Sequence, residues 1–171
     1  MRREILIDFA RCTGCFSCRL ACAVAHSQAK SLFGAVLAGE KPRARIFVHQ
    51  LGRQKAPISC RHCTDAFCID ACIAGAMYRK EDGTVTNEGG EQQCVGCWMC
   101  VMVCPYGAIT SDAAGTVALK CDRNCRDESG TPACVRACST GALVYAEVEE
   151  YAAYRRHSTL GKILAGGAGS F

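Results

Sequence analysis

The sequence predicts an α+β fold of short strands and one- or two-turn helices, ended by a longer helix. Three observations carry this. Sixteen of the 171 residues are cysteine, about 9%, a level at which a covalent or metal framework replaces part of an apolar core. Large apolar side chains are sparse, so burial alone would struggle to offset the chain entropy. The chain also repeats itself: the cysteines fall into four groups of four, and three groups are followed by the same short phrase.

In chain order the groups are Cys12, Cys15, Cys18 and Cys22; Cys60, Cys63, Cys68 and Cys72; Cys94, Cys97, Cys100 and Cys104, with Pro105 next; and Cys121, Cys125, Cys134 and Cys138. After the second, third and fourth groups come Gly75-Ala76-Met77, Gly107-Ala108-Ile109 and Gly141-Ala142-Leu143. A glycine there fits the end of a short helix, where a left-handed residue reverses the chain. Turn signals follow at Asp82-Gly83 and Ala114-Gly115, with β-prone flanks Thr84-Val85-Thr86 and Thr116-Val117-Ala118. The predicted unit is strand, cysteine loop, short helix, strand. Residues 23–59 form the largest insertion, with a strand expected over residues 44–49 and a loop around Gly52, Arg53, Gln54 and Lys55. Residues 147–166 suit an amphipathic helix, with Glu149 and Glu150 early and Arg155 and Arg156 later, as the helix dipole prefers. It is expected to pack across its own domain, followed by a mobile Gly-rich tail over residues 165–171.

Disulfides or metal centres could use so many cysteines. Disulfides need an oxidising compartment. Arg2 and Arg3 are followed at once by Asp8, Arg11 and Cys12, which leaves no apolar export segment. A cytoplasmic protein is expected, and no stretch approaches the ~20 apolar residues of a membrane span. Zinc knuckles usually come as two close cysteine pairs separated by a dozen or more residues, whereas the first group sets four within eleven residues. The third group has the spacing typical of bacterial ferredoxins. Three cysteines two apart wrap a loop around one cubane, and its N–H groups face the sulfides. The fourth cysteine lies on the following helix and reaches a neighbouring cluster, while Pro105 sets the chain direction. Four complete groups predict four [4Fe–4S] clusters as cofactors, with all sixteen cysteines as iron ligands. The formal charge of +4 counts every cysteine as neutral. Four cubanes at about −2 each bring the loaded chain to about −4, and the hint of a nucleic-acid partner disappears.

On Cys12-Thr13-Gly14-Cys15-Phe16-Ser17-Cys18, Cys60-Arg61-His62-Cys63, the third group with Pro105, and Lys120-Cys121-Asp122, the chain resembles a known family. It is similar, over about residues 3–147, to the four-cluster ferredoxin-like electron-transfer subunits found beside molybdenum and tungsten oxidoreductases, hydrogenases and carbon monoxide dehydrogenases. The segments Cys22-Ala23-Val24-Ala25-His26-Ser27, Pro42-Arg43-Ala44-Arg45-Ile46 and Trp98-Met99-Cys100 look most like the carbon monoxide dehydrogenase-associated subunits. Partners of tungsten or molybdenum enzymes, such as aldehyde oxidoreductase or formate dehydrogenase, remain in play.

The resemblance implies interleaved bacterial-type 2[4Fe–4S] ferredoxin folds. Residues 1–59 with 119–147 would form an outer domain, 60–118 an inner one, and 148–171 the closing helix and tail. It implies four ligand sets: Cys12, Cys15, Cys18 with Cys138; Cys121, Cys125, Cys134 with Cys22; Cys60, Cys63, Cys68 with Cys104; and Cys94, Cys97, Cys100 with Cys72. It implies single-electron relay in anaerobic metabolism between a catalytic oxidoreductase subunit and a second redox partner. The fourth group departs from the pattern, with three residues between Cys121 and Cys125 where the family usually has two. The extra residue is expected to bulge that loop and shift hydrogen bonding to its cluster.

His62 is expected to donate a hydrogen bond near its cluster or to make a surface contact, since every tetrad is already full. Phe16, Trp98 and Tyr106 are expected to shield clusters from water, which lowers their potentials. His26 and Arg45 are expected on solvated surface. No phosphate loop, dinucleotide fingerprint or activated nucleophile is present, so the chain is expected to carry electrons and not to be an enzyme itself. Rival readings are a freestanding polyferredoxin, a zinc-dependent interaction module, and self-association into a conducting array.

Overall fold

The computed structural model describes residues 3–164, and the expected tail over 165–171 lies outside them. Strand β1 (Arg3–Ile7) pairs antiparallel with β8 (Leu143–Glu147), Ile5 opposite Tyr145, so the first strand and the last share one ribbon. Between them run α1 (Ser17–Ala25), α2 (Leu32–Leu37), the hairpin β2 (Ile46–Leu51) and β3 (Gln54–Ser59), and α3 (Phe67–Asp70). The hairpin β4 (Tyr78–Arg79) and β5 (Val85–Thr86), α4 (Met99–Val103), the hairpin β6 (Ile109–Ser111) and β7 (Ala118–Lys120), and α5 (Ala133–Arg136) follow. Helix α6 (Val148–Leu164) leaves directly from β8. This is a small α+β chain of short elements, as the composition predicts.

Helix α1 packs on α5, and α3 on α4. Each packing centres on a separate buried group. One contains Ile5, Cys18, Cys22, Ile46, Cys134 and Leu143. The other contains Ala66, Met77, Val85, Cys100, Ile109 and Ala118. Cysteines are therefore core residues here, as expected of a chain with few large aliphatics.

The Gly-Ala phrase has a different job from the one predicted. Gly75, Gly107 and Gly141 are left-handed, at φ +61°, +55° and +63°. Yet the preceding helices end earlier, at Asp70, Val103 and Arg136. Each glycine N–H instead donates to the carbonyl of the last cysteine of its group, Cys72, Cys104 or Cys138, at 3.0, 3.2 and 3.0 Å. It closes a separate turn that fixes that cysteine. The alanines that follow, Ala76, Ala108 and Ala142, are buried to 2% exposure or less; a larger side chain has no space there.

The expected loop around residues 52–55 is shorter than read. Leu51 lies opposite Gln54, so only Gly52 and Arg53 make the turn, with Gly52 at φ +58°. Gln54 begins β3 but stays exposed, which is why its polarity looked loop-like. The expected packing of the last helix is confined to its start. Tyr151 is half-buried, and Arg155 Nη1 reaches Asp8 Oδ2 at 2.6 Å. Leu160, Ile163 and Leu164 are more than half exposed. Among the described residues no helix is long and apolar enough to cross a membrane.

Candidate metal centres

All sixteen cysteines are free, and twelve of them line three hollows. Cys12, Cys15, Cys18 and Cys138 line one. Cys60, Cys63, Cys68 and Cys104 line a second, and Cys72, Cys94, Cys97 and Cys100 a third. The remaining four are electrostatic neighbours: Cys121 and Cys125 act on Cys22, and all three act on Cys134. Among the described residues, no three His, Cys, Asp or Glu side chains approach closely enough to share one metal ion. The thiols surround volumes rather than points, an arrangement suited to a multi-atom cluster and unsuited to a lone zinc.

The loops share one backbone feature. The second residue after the first cysteine of each group is left-handed: Gly14 (φ +70°), His62 (+47°), Gly96 (+68°) and Arg123 (+57°). Phe16 and Trp98, two residues further on, are left-handed as well, at +63° and +64°. Such turns direct successive N–H groups into a concavity that favours negative charge. Aligning the loops on this residue identifies Asn124 as the extra one. Its backbone N–H donates to Asp122 Oδ1 at 3.1 Å and its side-chain amide to Oδ2 at 2.8 Å, so the insertion is folded back onto its own loop.

A left-handed turn costs an ordinary side chain about 1–2 kcal/mol, and the two glycine loops should differ under substitution. A Cβ at Gly14 would overlap Lys55 Cδ, the flexible part of a long side chain. At Gly96 it would overlap the backbone oxygen of Thr116 just as closely. Gly14→Ala is expected to cost about 1–2 kcal/mol, and Gly96→Ala clearly more, because a backbone carbonyl cannot move aside. The rate of iron loss to a chelator in denaturant checks the order; equal rates would contradict it.

In the second and fourth loops the left-handed residue is held by a buried side chain. His62 is 1% exposed, and its Nδ1 accepts the Val85 N–H at 3.0 Å. That bond makes Nε2 the protonated nitrogen of the neutral ring. The alternative of a surface contact is therefore corrected: His62 is a loop anchor in the wall of a hollow. Arg123, 2% exposed, donates to the Arg3 carbonyl at 3.0 Å and pairs with Glu4, tying the fourth loop to β1.

His26 and Arg45 are likewise not solvated surface. His26 Nδ1 lies 2.8 Å from the Cys22 carbonyl, and its Nε2 lies 3.4 Å from Asp122 Oδ1. Arg45 pairs with buried Asp122 and, at 2.9 Å, with Glu88. Burial alone would raise the Asp122 carboxyl, but His26, Arg45 and the Asn124 N–H outweigh it and hold it well below the usual carboxylate range. Nothing in the sequence pointed to this network except the charges themselves, which stand on surfaces by default.

The donor set fits iron–sulfur chemistry. Backbone N–H groups point at sulfurs: Arg45 at Cys22 (3.2 Å), His62 at Cys60, Met77 at Cys72, Ala118 at Cys94 and Leu143 at Cys138 (each 3.4 Å). Bonds of this kind favour thiolate. Burial pushes the free Cys22 thiol up to about 12, and those of Cys68 and Cys121 up to about 11. Such thiols stay protonated until a metal replaces the proton. Cys15, which is exposed, is lowered instead by the Ser17 hydroxyl 3.4 Å away. Phe16, Trp98 and Tyr106 each line one of the three hollows. Phe16 and Tyr106 are both 49% exposed, so these two cover their hollows at the protein surface.

The family described as 4Fe-4S dicluster domain matches over residues 53–148, which takes in the second, third and fourth cysteine groups. An iron–sulfur protein of Rhodospirillum rubrum is 41% identical over 166 residues, covering 87% of this chain and 86% of that protein. The electron transport protein HydN of Escherichia coli K12 is 34% identical over 177 residues, covering 93% and 98%. A subunit of the anaerobic dimethyl sulfoxide reductase of the same strain is 34% identical over 157 residues, covering 84% and 73%. In two larger relatives from that strain, UacF and AegA, the chain spans only about a fifth of the relative's length, 21% and 22%. With twelve of the sixteen thiols lining three hollows and these relatives alongside, the chain belongs to the ferredoxin-like 4Fe-4S family of iron–sulfur electron-transfer subunits.

Proposed function

We propose that the chain relays single electrons through four [4Fe–4S] clusters, between a catalytic oxidoreductase subunit and a second redox partner. The observation that carries this reading is the sharing pattern: three hollows, each lined by three cysteines of one group and one of another. Each cluster, when bound, takes up and returns one electron. The proposed ligand sets are Cys12, Cys15, Cys18 with Cys138; Cys60, Cys63, Cys68 with Cys104; Cys94, Cys97, Cys100 with Cys72; and Cys121, Cys125, Cys134 with Cys22. The proposed domains are an inner half, residues 60–118, and an outer half, residues 1–59 with 119–147. The two separate buried groups support that division. The residues themselves supply charge compensation through the N–H···S bonds, and water exclusion through Phe16, Trp98 and Tyr106.

The catalytic partner we propose is an oxidoreductase of the carbon monoxide dehydrogenase or molybdenum/tungsten kind, on the resemblance of the sequence segments to subunits of those enzymes. Anaerobic purification should give about 16 iron and 16 acid-labile sulfide per chain, with reduction by about four electrons. Zinc without sulfide, or about eight iron, would overturn the four-cluster reading. Failure to bind any catalytic subunit encoded beside it would favour a freestanding carrier.

A further inference from the structure

Lys120, the last residue of β7, is 2% exposed, so its side chain is fully buried. Its Nζ donates to the carbonyl of Cys121 at 3.0 Å and to that of Val85. Among the described residues, the ion pairs join His26, Arg45, Arg123, Arg126, Arg136 and Arg155 to carboxylates, and none includes Lys120. A buried ammonium without a carboxylate needs its compensation from somewhere else.

The two carbonyls say where that is. Val85 lines the hollow of Cys60, Cys63, Cys68 and Cys104. Its N–H is held by His62, in the wall of the same hollow. Cys121 belongs to the other proposed tetrad, with Cys22, Cys125 and Cys134. Nζ thus bonds one wall of each tetrad and stands on the seam between them. In keeping with that position, the Lys120 charge acts on Cys68 and on Cys121, and Cys60 acts on Cys121 across the same seam.

We propose that Lys120 is the fixed charge that sets the potentials of the two clusters facing each other across this seam, and with them the step by which an electron passes between the inner and outer halves. A cubane with four thiolates carries about −2 when oxidised and about −3 when reduced. A positive charge buried beside it favours the reduced form, through a medium that screens poorly. In the crossing step one electron leaves the reduced cluster, which is oxidised, and enters the other, which is reduced. No bond forms or breaks, and no group is transferred.

The inference rests on the reading that these tetrads hold clusters, which the iron and sulfide content of the unaltered chain tests separately. Lys120→Gln keeps N–H donors for both carbonyls and removes the charge. In an EPR-monitored redox titration of the fully loaded protein, it should move two of the four potentials in the negative direction and leave the other two. The expected size is about tenfold or more in the reduction equilibrium constant of each, about 59 mV for one electron. Lys120→Arg, which keeps the charge, should restore both. Potentials unmoved in a fully loaded Lys120→Gln protein, or all four moved alike, would overturn the proposal. So would iron loss from Lys120→Gln that Lys120→Arg repairs with unmoved potentials in the residual loaded fraction, because the lysine would then serve assembly alone.

Discussion

On the proposed ligand sets, replacing Cys138 by alanine should remove a cluster that is otherwise held by the other end of the chain. Iron is expected to fall from about 16 to about 12 per chain, and the loss should fall on the cluster of Cys12, Cys15 and Cys18. The hollow holding those three has no further cysteine to substitute: its other walls include Val48, Pro57, Thr140, Ala142 and Leu143. Cys138 is also the acceptor of two backbone N–H groups, that of Gly141 at its carbonyl (3.0 Å) and that of Leu143 at its sulfur (3.4 Å). The turn that delivers the ligand and the first residue of β8 are thus built around it. The distinguishing measurement is site-resolved. With iron-57 loading and EPR, the signal lost in Cys138→Ala should be the one lost in Cys15→Ala. If Cys138→Ala instead matches Cys125→Ala, the cysteines are grouped by sequence neighbourhood and the proposed sharing is wrong.

Asp122→Ala should be the most damaging substitution outside the cysteines. Asp122 is 2% exposed and is the hub for Arg45, His26 and both nitrogens of Asn124. Without it, Arg45 stays buried with only Glu88, a carboxylate that is itself 44% exposed. Removing one partner of a buried pair typically costs about 3–5 kcal/mol, because the other charge is left without compensation. The Asn124 insertion loses its fold-back in the same stroke. Anaerobic denaturant titration, followed by cluster absorbance, should show the midpoint falling well below that of the unaltered protein. Arg45→Met combined with Asp122→Leu removes both charges and should recover part of the loss. A double variant as unstable as the single one would show that the cost lies in loop geometry and not in the stranded charge.

The iron–sulfur family was legible because cysteine spacing is chemistry written in the chain. Four thiols within a short run have few uses, and the second, third and fourth groups carry the same Gly-Ala phrase. That phrase was visible before its purpose was: the left-handed glycine serves the last cysteine of each group, and the buried alanine makes room beside it. What stayed hidden was the role of charge. His62 and Arg123 occupy the position that Gly14 and Gly96 fill in the sister loops, yet neither residue type signals a left-handed turn. Their conformations follow from distant partners, Val85 for one and β1 for the other. Arg45, His26 and Lys120 look like surface charge because most arginine, histidine and lysine is. Only long-range packing reveals that Arg45 and His26 meet a buried carboxylate and that Lys120 meets two buried backbone carbonyls. The same reason explains α6, whose apolar pattern was evident while the amount of it covered by the domain was not.

The pairing of β1 with β8 sets an order on biosynthesis. The ribosome delivers about 5–20 residues each second, so the cysteines of the second and third groups are all made seconds before Cys138 emerges. Cys12, Cys15 and Cys18 must wait through that interval, because the strand that holds β1 in place and the thiol proposed to complete their set are made more than a hundred residues later. The thermodynamic penalty for closing the longer loop is slight, about 0.6 kcal/mol for each doubling of length. The burden is one of time. On the proposed ligand sets, the set begun by Cys12, Cys15 and Cys18 therefore cannot be completed before Cys138 has been made.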